Sequence, residues 1–215
     1  MRDVIAIETK RLKLRALRIS DATRIARFCG DPQVGRNLAM TPLPYLETAA
    51  EGWLMTLAAR KPLGRDFVYA VDLAGEGLIG CIGAHRKQVD AYEIGYWFGR
   101  PYWGRGFATE ALQALTAEAR ALGELEAGHF VDNPASGRVL AKNGFAYTGE
   151  VKPLFSMARG ESAACKRMRY APGSEGASIE RTSVAMNGSP LPGRSPGLEP
   201  GCDPGSRDDA RRAFL

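Results

Sequence analysis

Residues 93–111, E-I-G-Y-W-F-G-R-P-Y-W-G-R-G-F-A-T-E-A, constrain the fold most, because they hold a strand, a turn with two close glycines and a helix start without interruption. Residues 94–98 are a short aromatic and apolar run of the kind that forms a buried strand, and Gly99 with Pro101 ends it. From there the apolar positions Phe107, Ala108, Ala111, Leu112, Leu115, Ala119 and Leu122 recur at helical spacing, with Glu110, Gln113 and Glu118 mostly on the other side. The spacing predicts a helix that starts between Gly104 and Phe107. Its first amides have no intrahelical partner and the macrodipole adds partial positive charge, so the turn suits an anion. Gly104 and Gly106 permit positive φ and a close approach of phosphate to the backbone, while Arg105 adds a full charge. A diphosphate is the natural guest. The same residues would also serve as a plain tight connection between strand and helix.

Two familiar phosphate loops do not fit. The turn lacks the third glycine of the dinucleotide fingerprint, and no G-K-[ST] is present. It resembles instead the coenzyme A turn of the GNAT superfamily of N-acetyltransferases, [QR]-x-x-G-x-[GA], with Trp103 in the first position, Gly106 in the fourth and Ala108 in the sixth. Trp103 departs from Gln or Arg, yet Y-W-G-x-G-[FY]-A-T-E-A resembles the form typical of the RimJ/RimL-type branch, which acetylates ribosomal-protein N-termini. A second block lies at residues 131–145, V-D-N-P-A-S-G-R-V-L-A-K-N-G-F. Asn133 is a good helix cap, Pro134 suits the first helical position and Asn143-Gly144 closes the helix, so a purely structural account of Asn133 is complete. The block also resembles the second signature of the same branch, N-x-x-S-x-x-[VL]-x-x-K-x-G-F. That resemblance implies that Asn133 and Ser136 lie beside the pantetheine and thiol of the coenzyme.

The rest of the chain can be placed around this unit. Residues 7–18 alternate apolar and basic at Leu12, Lys13, Leu14 and Arg15, which predicts one half-exposed strand. Ser20 reads as a cap for a helix through Cys29, stopped by Gly30-Asp31-Pro32, and helical spacing resumes over residues 45–60. Residues 67–73 and 78–84 are β-rich runs joined by A-G-E-G, and residues 91–98 complete an antiparallel meander; a further strand is expected at 125–131. The class is α+β, a mixed α/β plan with a central, mostly antiparallel twisted sheet flanked by helices. Its order resembles the acyl-CoA N-acyltransferase fold of the GNAT family. After Pro172 the composition changes: residues 172–215 hold 13 Gly and Pro among 44 residues and no apolar periodicity. One domain over 4–171 and a disordered tail over 172–215 are expected.

Acetyl transfer from a thioester to an amine needs a neutral amine, a donor for the developing oxyanion and a proton for the leaving thiolate. The resemblance implies that Tyr96, Trp97, Phe98, Trp103, Gly104, Arg105, Gly106, Phe107, Ala108, Asn133 and Ser136 contact acetyl-CoA, the co-substrate. It further implies a backbone N–H at residues 96–98 for the oxyanion and Ser136 as proton donor to the thiolate, with Tyr147 as the runner-up. A tyrosine four residues beyond Ser136 is the acid in many relatives, but that place is taken by Leu140. Glu93 matches the glutamate of the family's A-E-I-G-Y-W and would take the amine's proton through water, or it pairs with an arginine at the strand edge. His85 and His129 are the other candidate bases, His129 the better placed because its strand borders the cofactor wedge.

The formal charge of +5 suits an anionic cofactor, and the basic residues are too scattered to indicate a specific nucleic-acid partner. Cys29, Cys81, Cys165 and Cys202 form no C-x-x-C, so neither a metal site nor a disulfide framework is expected. Without a signal sequence or a membrane-spanning run, a cytoplasmic protein, monomer or homodimer, is the expectation. The acceptor is expected to be a primary amine, on a small molecule or a protein N-terminus. A non-catalytic acetyl-CoA sensor or interaction module is the alternative.

Overall fold

The first alternating run folds as a hairpin rather than as one strand. In the computed structural model, which describes residues 5–171, Ile7–Glu8 (β1) pairs with Leu12–Ala16 (β2), and Thr9 turns the chain by donating its N–H to the Leu12 carbonyl at 2.9 Å. Leu12 and Leu14 are buried while Lys13 is exposed, as the alternation requires. Residue 4 and the expected tail, 172–215, lie outside the described residues.

Helix Ala22–Cys29 (α1) follows, but Ser20 does not cap it. The residue before the helix is Asp21, whose carboxylate accepts from the Arg18 N–H at 2.8 Å and takes both Nη atoms of Arg15 at 2.9 and 2.8 Å. Burial alone would raise the Asp21 pKa; the bonds from Arg15 and Arg18 outweigh it and hold the carboxyl below its usual range. Gly30-Asp31-Pro32 ends α1 and also opens the four-residue helix Pro32–Gly35 (α2), because Asp31 accepts from the Gln33 N–H at 2.9 Å. Glu47–Arg60 forms α3.

Asp66–Leu73 (β3), Gly77–Gln88 (β4) and Ala91–Phe98 (β5) form the antiparallel meander, followed by Phe107–Ala119 (α4), Glu124–Phe130 (β6) and Pro134–Lys142 (α5). Phe145–Ser156 (β7) and Glu161–Tyr170 (β8) close the chain as a hairpin. The eight strands are ordered β1-β2-β3-β4-β5-β6-β8-β7, with β8 inserted beside β6. The sequence did not reveal β8: its alternation is weak, and only Cys165 and Met168 are buried along it.

Every neighbouring pair is antiparallel except β5 and β6. That parallel pair runs only from Ala91 opposite Glu124 to Ile94 opposite Ala127, and beyond it the two strands part. Helix α5 lies on the face of β5 that carries Tyr96, through the Tyr96–Ser136 contact, and α4 packs beside α5. Helix α1 lies on the opposite face, where Phe28 meets Trp97 with ring centroids 6.5 Å apart. Fully buried Leu14, Ile25, Ile79, Ile82, Leu112, Leu115 and Leu125 join the two layers to the sheet, each contributing about 1.5–3 kcal/mol by burial. Among the described residues no helix is long and apolar enough to cross a membrane.

Candidate active site

Where β5 and β6 part, a cavity of about 400 Å³ opens and is lined from both faces of the sheet. The hydrogen-bond phase of β5 decides which backbone groups it sees. Gly99 donates to the Ile79 carbonyl at 2.9 Å, so residues 97, 95 and 93 exchange bonds with β4. The N–H and C=O of Tyr96 and the N–H of Phe98 therefore face β6. By the same reasoning, Val131 donating to Ala164 turns the groups of Gly128 toward β5. Past Ile94 these edges have no strand partner, which leaves an extended amide-bearing ligand the place of a missing strand.

At the upper end of the cavity lies the glycine turn. Gly104 and Gly106 have φ of +72° and +79°, the left-handed region that favours glycine, and a Cβ at Gly104 would meet nothing within 4 Å. Among the described residues, the amides of residues 104–109 donate to no protein acceptor, and Gly106 caps α4 without a side-chain bond. A row of free amides at the start of a thirteen-residue helix fits an anionic diphosphate. Two basic side chains of α5, Arg138 and Lys142, line the same cavity. Arg105 does not line it. Its guanidinium lies 4.8 Å from the Phe107 ring centroid, and its carbonyl accepts from Arg11 Nη1 at 2.9 Å. Arg11 covers the same ring at 4.5 Å. Trp103 lines the cavity with its ring, while its indole N–H donates to the Phe98 carbonyl at 2.7 Å and ties the turn to the end of β5.

On the α5 side, Asn133 caps the helix by accepting from the Ser136 N–H at 3.2 Å, as its sequence position suggested. Ser136 Oγ lies 2.9 Å from the Tyr96 hydroxyl, which is also 3.1 Å from the Ser136 carbonyl. Burial pushes the Tyr96 phenol well above the tyrosine range, against the opposing bond from Ser136, so it stays protonated. His129 is fully engaged. Its Nδ1 donates to the Phe130 carbonyl at 2.8 Å, leaving Nε2 to accept from the Tyr147 hydroxyl at 3.0 Å. Tyr147 is thereby bonded to His129 and does not line the cavity.

On the opposite face, Glu93 accepts from Arg167 Nη1 at 2.6 Å and pairs with Lys87 at 3.0 Å. Burial would raise the Glu93 pKa; the charges of Arg167 and Lys87 outweigh it and hold the carboxyl below its usual range. The ion pair that the sequence offered as one fate of Glu93 is present, and it makes this carboxylate a weak proton acceptor at neutral pH. Cys165 and Arg167 of β8 and His85 of β4 complete this wall. Burial pushes the Cys165 thiol up, which keeps it protonated and poorly nucleophilic. Trp97 also lines the cavity from this face, while Phe98, buried at the end of β5, and Phe107 with Ala108 line it near the turn.

Sequence reasoning missed Arg167, Asp66, Arg11 and the Tyr96 hydroxyl. Each acts across elements: Arg167 reaches Glu93 over 74 positions, and Arg11 reaches the glycine turn over 94. The i, i+4 pair Arg138 and Lys142 had a visible signal, two cations on one side of a predicted helix.

Residues 11–146 match the acetyltransferase (GNAT) domain family. The chain is 30% identical over 152 residues to the uncharacterized N-acetyltransferase YoaA of Bacillus subtilis (strain 168), a match that spans 68% of this chain and 85% of that protein. Over 80 residues it is 39% identical to the ribosomal-protein-serine acetyltransferase of Escherichia coli (strain K12), covering 35% of this chain and 45% of that one. Among solved structures, RimL, a ribosomal L7/L12 alpha-N-protein acetyltransferase in complex with coenzyme A, superposes with a TM-score of 0.66 at 19% identity over 77% of this chain and 97% of its own. Mycobacterium smegmatis RimJ in complex with CoA-disulfide gives a TM-score of 0.63 at 23% identity, covering 74% of this chain and 81% of its own. Likeness at those identities speaks for the fold; the domain match and the relative at 30% identity carry the family. The chain belongs to the GNAT acetyltransferase family and is an acetyl-CoA-dependent N-acetyltransferase.

Proposed function

We propose that the protein transfers an acetyl group directly from acetyl-CoA to a primary amine, with a protein N-terminus as the leading acceptor class. The observation that supports this reading is the continuity of the cleft: free amides at residues 104–109, unpaired strand edges at Tyr96 and Gly128, then the Ser136–Tyr96 hydroxyl pair. The amides of Gly104 to Thr109, with Arg138 and Lys142 on the wall, would hold the diphosphate end. The strand edges would bind the amides of the pantetheine arm in register. Bound there, acetyl-CoA supplies an activated acyl carbon. The Tyr96 N–H, turned toward β6, is the donor for the oxygen that gains negative charge.

Ser136 is the proposed proton donor to the departing sulfur, directly or through water. When Tyr96 donates to Ser136 Oγ, the serine proton is left free to point into the cleft, so Tyr96 fixes the hydroxyl's direction while staying protonated itself. Glu93 lies on the other face, where its ion pairs with Arg167 and Lys87 would hold the acceptor side of the cleft in shape. The protein-N-terminus reading draws on the relatives named for ribosomal-protein acetylation.

A thiol-release assay with acetyl-CoA across amino acids, polyamines, aminoglycosides and N-terminal peptides tests the proposal. Thiol release matched by acetylated amine is the expected result, with peptides turned over fastest. No release with any amine would sink it, and release favoured by small molecules would replace the acceptor class.

A further inference from the structure

Among the described residues, two that line the cavity, His85 and Arg167, each carry a buried side-chain nitrogen without a hydrogen-bond partner. A buried polar atom left unpaired is costly in a folded protein, and such orphans concentrate where a ligand or water completes the site. His85 is the more informative of the two. It lies on β4 directly opposite Glu93, with 6% of its surface exposed. Its Nδ1 is 2.9 Å from Asp66 Oδ1, and Asp66 Oδ2 is 3.0 Å from Arg60.

A carboxylate only accepts, so Nδ1 carries the proton and the lone pair of the neutral ring sits on Nε2, the orphaned atom. Nε2 lies 3.3 Å from where a Cβ of residue 83 would stand. Gly83 faces Gly95 across the strands, so no side chain from either position covers Nε2. The charged groups around it are Asp66 on β3, Lys87 on β4, Glu93 on β5, Arg167 on β8 and Arg60 on α3. Glu93 is already held by two cations, which leaves His85 as the acceptor-side group with an unused lone pair.

We propose that His85, oriented by Asp66, takes the proton of the acceptor amine, and that the acceptor carries a single amine on a neutral or acidic body. This rests on the acetyl-transfer reading above. His85 Nε2 takes one proton from the incoming ammonium, the neutral nitrogen bonds to the acyl carbon, and the proton then surplus on nitrogen passes through water to Ser136 as Ser136 gives its own to sulfur. The carbon–sulfur bond breaks with its electron pair on sulfur, which is protonated from the Ser136 side. The imidazolium, stabilised by Asp66, then returns its proton to solvent. The acceptor class follows from charge: among the cavity-lining residues Glu93 is the one carboxylate, and Arg167 and Lys87 already neutralise it. A polyamine or aminoglycoside would bring further cations with no free anion to meet them.

The test begins with wild-type thiol release across the amine panel; silence with every amine would overturn the acetyl-transfer reading itself. With the best acceptor in hand, Asp66→Asn and His85→Gln are compared with wild type. Asp66→Asn keeps the shape; with its oxygen held by Arg60 its NH2 faces Nδ1 and donates to it, which moves the ring proton to Nε2 and removes the lone pair. Both variants should lose about 10²-fold or more in kcat near neutral pH. Acetyl-CoA affinity should stay within about twofold, and the deficit should shrink as pH rises and the amine deprotonates in solution. A kcat within about threefold of wild type in either folded variant, or a deficit that does not change with pH, overturns His85 as proton acceptor. If neither variant folds, the wild-type profile decides: kcat/KM that stays flat between about pH 5 and 8 removes a histidine from the step. A polyamine as the best acceptor overturns the single-amine class.

Discussion

The two walls of the cleft are made of different things. The wall proposed for the cofactor is largely backbone: a row of amides at residues 104–109 and the open edges of β5 and β6. The wall proposed for the acceptor is largely charge-bearing side chains, contributed by β3, β4, β5 and β8 and joined through Asp66–His85 and Glu93–Arg167. Backbone sites are built from consecutive residues whose conformation is written locally, in glycines and helix caps. Side-chain sites depend on which strands become neighbours. The two walls should therefore fail differently when mutated, the first through cofactor affinity and the second through stability and acceptor chemistry.

The largest effect is expected at Gly106. Gly106→Glu places a side chain over the free amides, and Arg11 Nη2, 3.4 Å from the new Cβ, would hold the carboxylate there. Acetyl-CoA binding by calorimetry should be lost. Gly106→Ala carries the same backbone strain, since φ is +79°, without the charge, and should retain weakened binding. Equal behaviour of the two variants would mean that the turn matters through its shape alone.

Next comes the acceptor wall. Arg167→Met removes the main partner of the partly buried Glu93 and leaves Lys87 alone to compensate it. Breaking a fully buried pair from one side costs about 3–5 kcal/mol, and less than the lower figure is expected here because Glu93 is partly exposed and one cation remains. Denaturant unfolding should show that loss while acetyl-CoA affinity stays near wild type. A variant as stable as wild type would show that solvent already compensates Glu93.

Ser136 sits where the walls meet. Ser136→Ala should lower kcat by about 10²-fold, equivalent to about 2.7 kcal/mol, with little change in acetyl-CoA affinity. Tyr96→Phe keeps the serine but frees its rotamer, so a smaller loss is expected, and a double variant no worse than Ser136→Ala would place both hydroxyls in one unit. A kcat within about threefold of wild type for Ser136→Ala would leave it a helix-terminus residue.

What could be read from the sequence follows the same division. Phe107–Ala119 and its glycine turn, and the Asn133 cap, were visible because helix spacing and capping are local signals. The meander from Asp66–Leu73 to Ala91–Phe98 was visible from its turns. Strand Glu161–Tyr170 was not, and with it went Arg167: its residues alternate too weakly to announce a buried neighbour for β6. The surroundings of the two histidines were not legible from sequence for the same reason. His129 lines the cleft, but Tyr147 and a neighbouring carbonyl occupy both its nitrogens, whereas Asp66 fixes His85 with one nitrogen unused. Side-chain partners eighteen and nineteen residues away cannot be read from a lone histidine.

The smallest predicted effect sharpens the comparison from the cofactor side, at a place where the backbone wall does lean on side chains. Glu110, in the first turn of α4, accepts from Thr9 Oγ1 at 2.7 Å, the Arg11 N–H at 2.8 Å and Arg11 Nε at 2.6 Å. It thereby ties the turn between β1 and β2 to the glycine turn, and Arg11 passes the tie on to the Arg105 carbonyl. Burial would raise the Glu110 pKa; the bonds from Thr9 and Arg11 outweigh it and hold it below the usual range. A carboxyl depressed in the folded state stabilises fully above its unfolded value of about 4.3, and the contribution is lost as pH falls through the folded value. Arg11 is 41% exposed, so solvent screens part of the pair and about 1 kcal/mol is expected at neutral pH. Glu110→Gln should therefore lower the melting temperature at pH 7 and weaken acetyl-CoA binding by a few-fold, while KM for the acceptor amine stays unchanged. Scanned downward in pH, the gap between variant and wild type should begin to close below about 4.3. A gap that persists in acid would assign the loss to the shape of the side chain and not to its charge, and a shifted acceptor KM would show that the two walls are coupled.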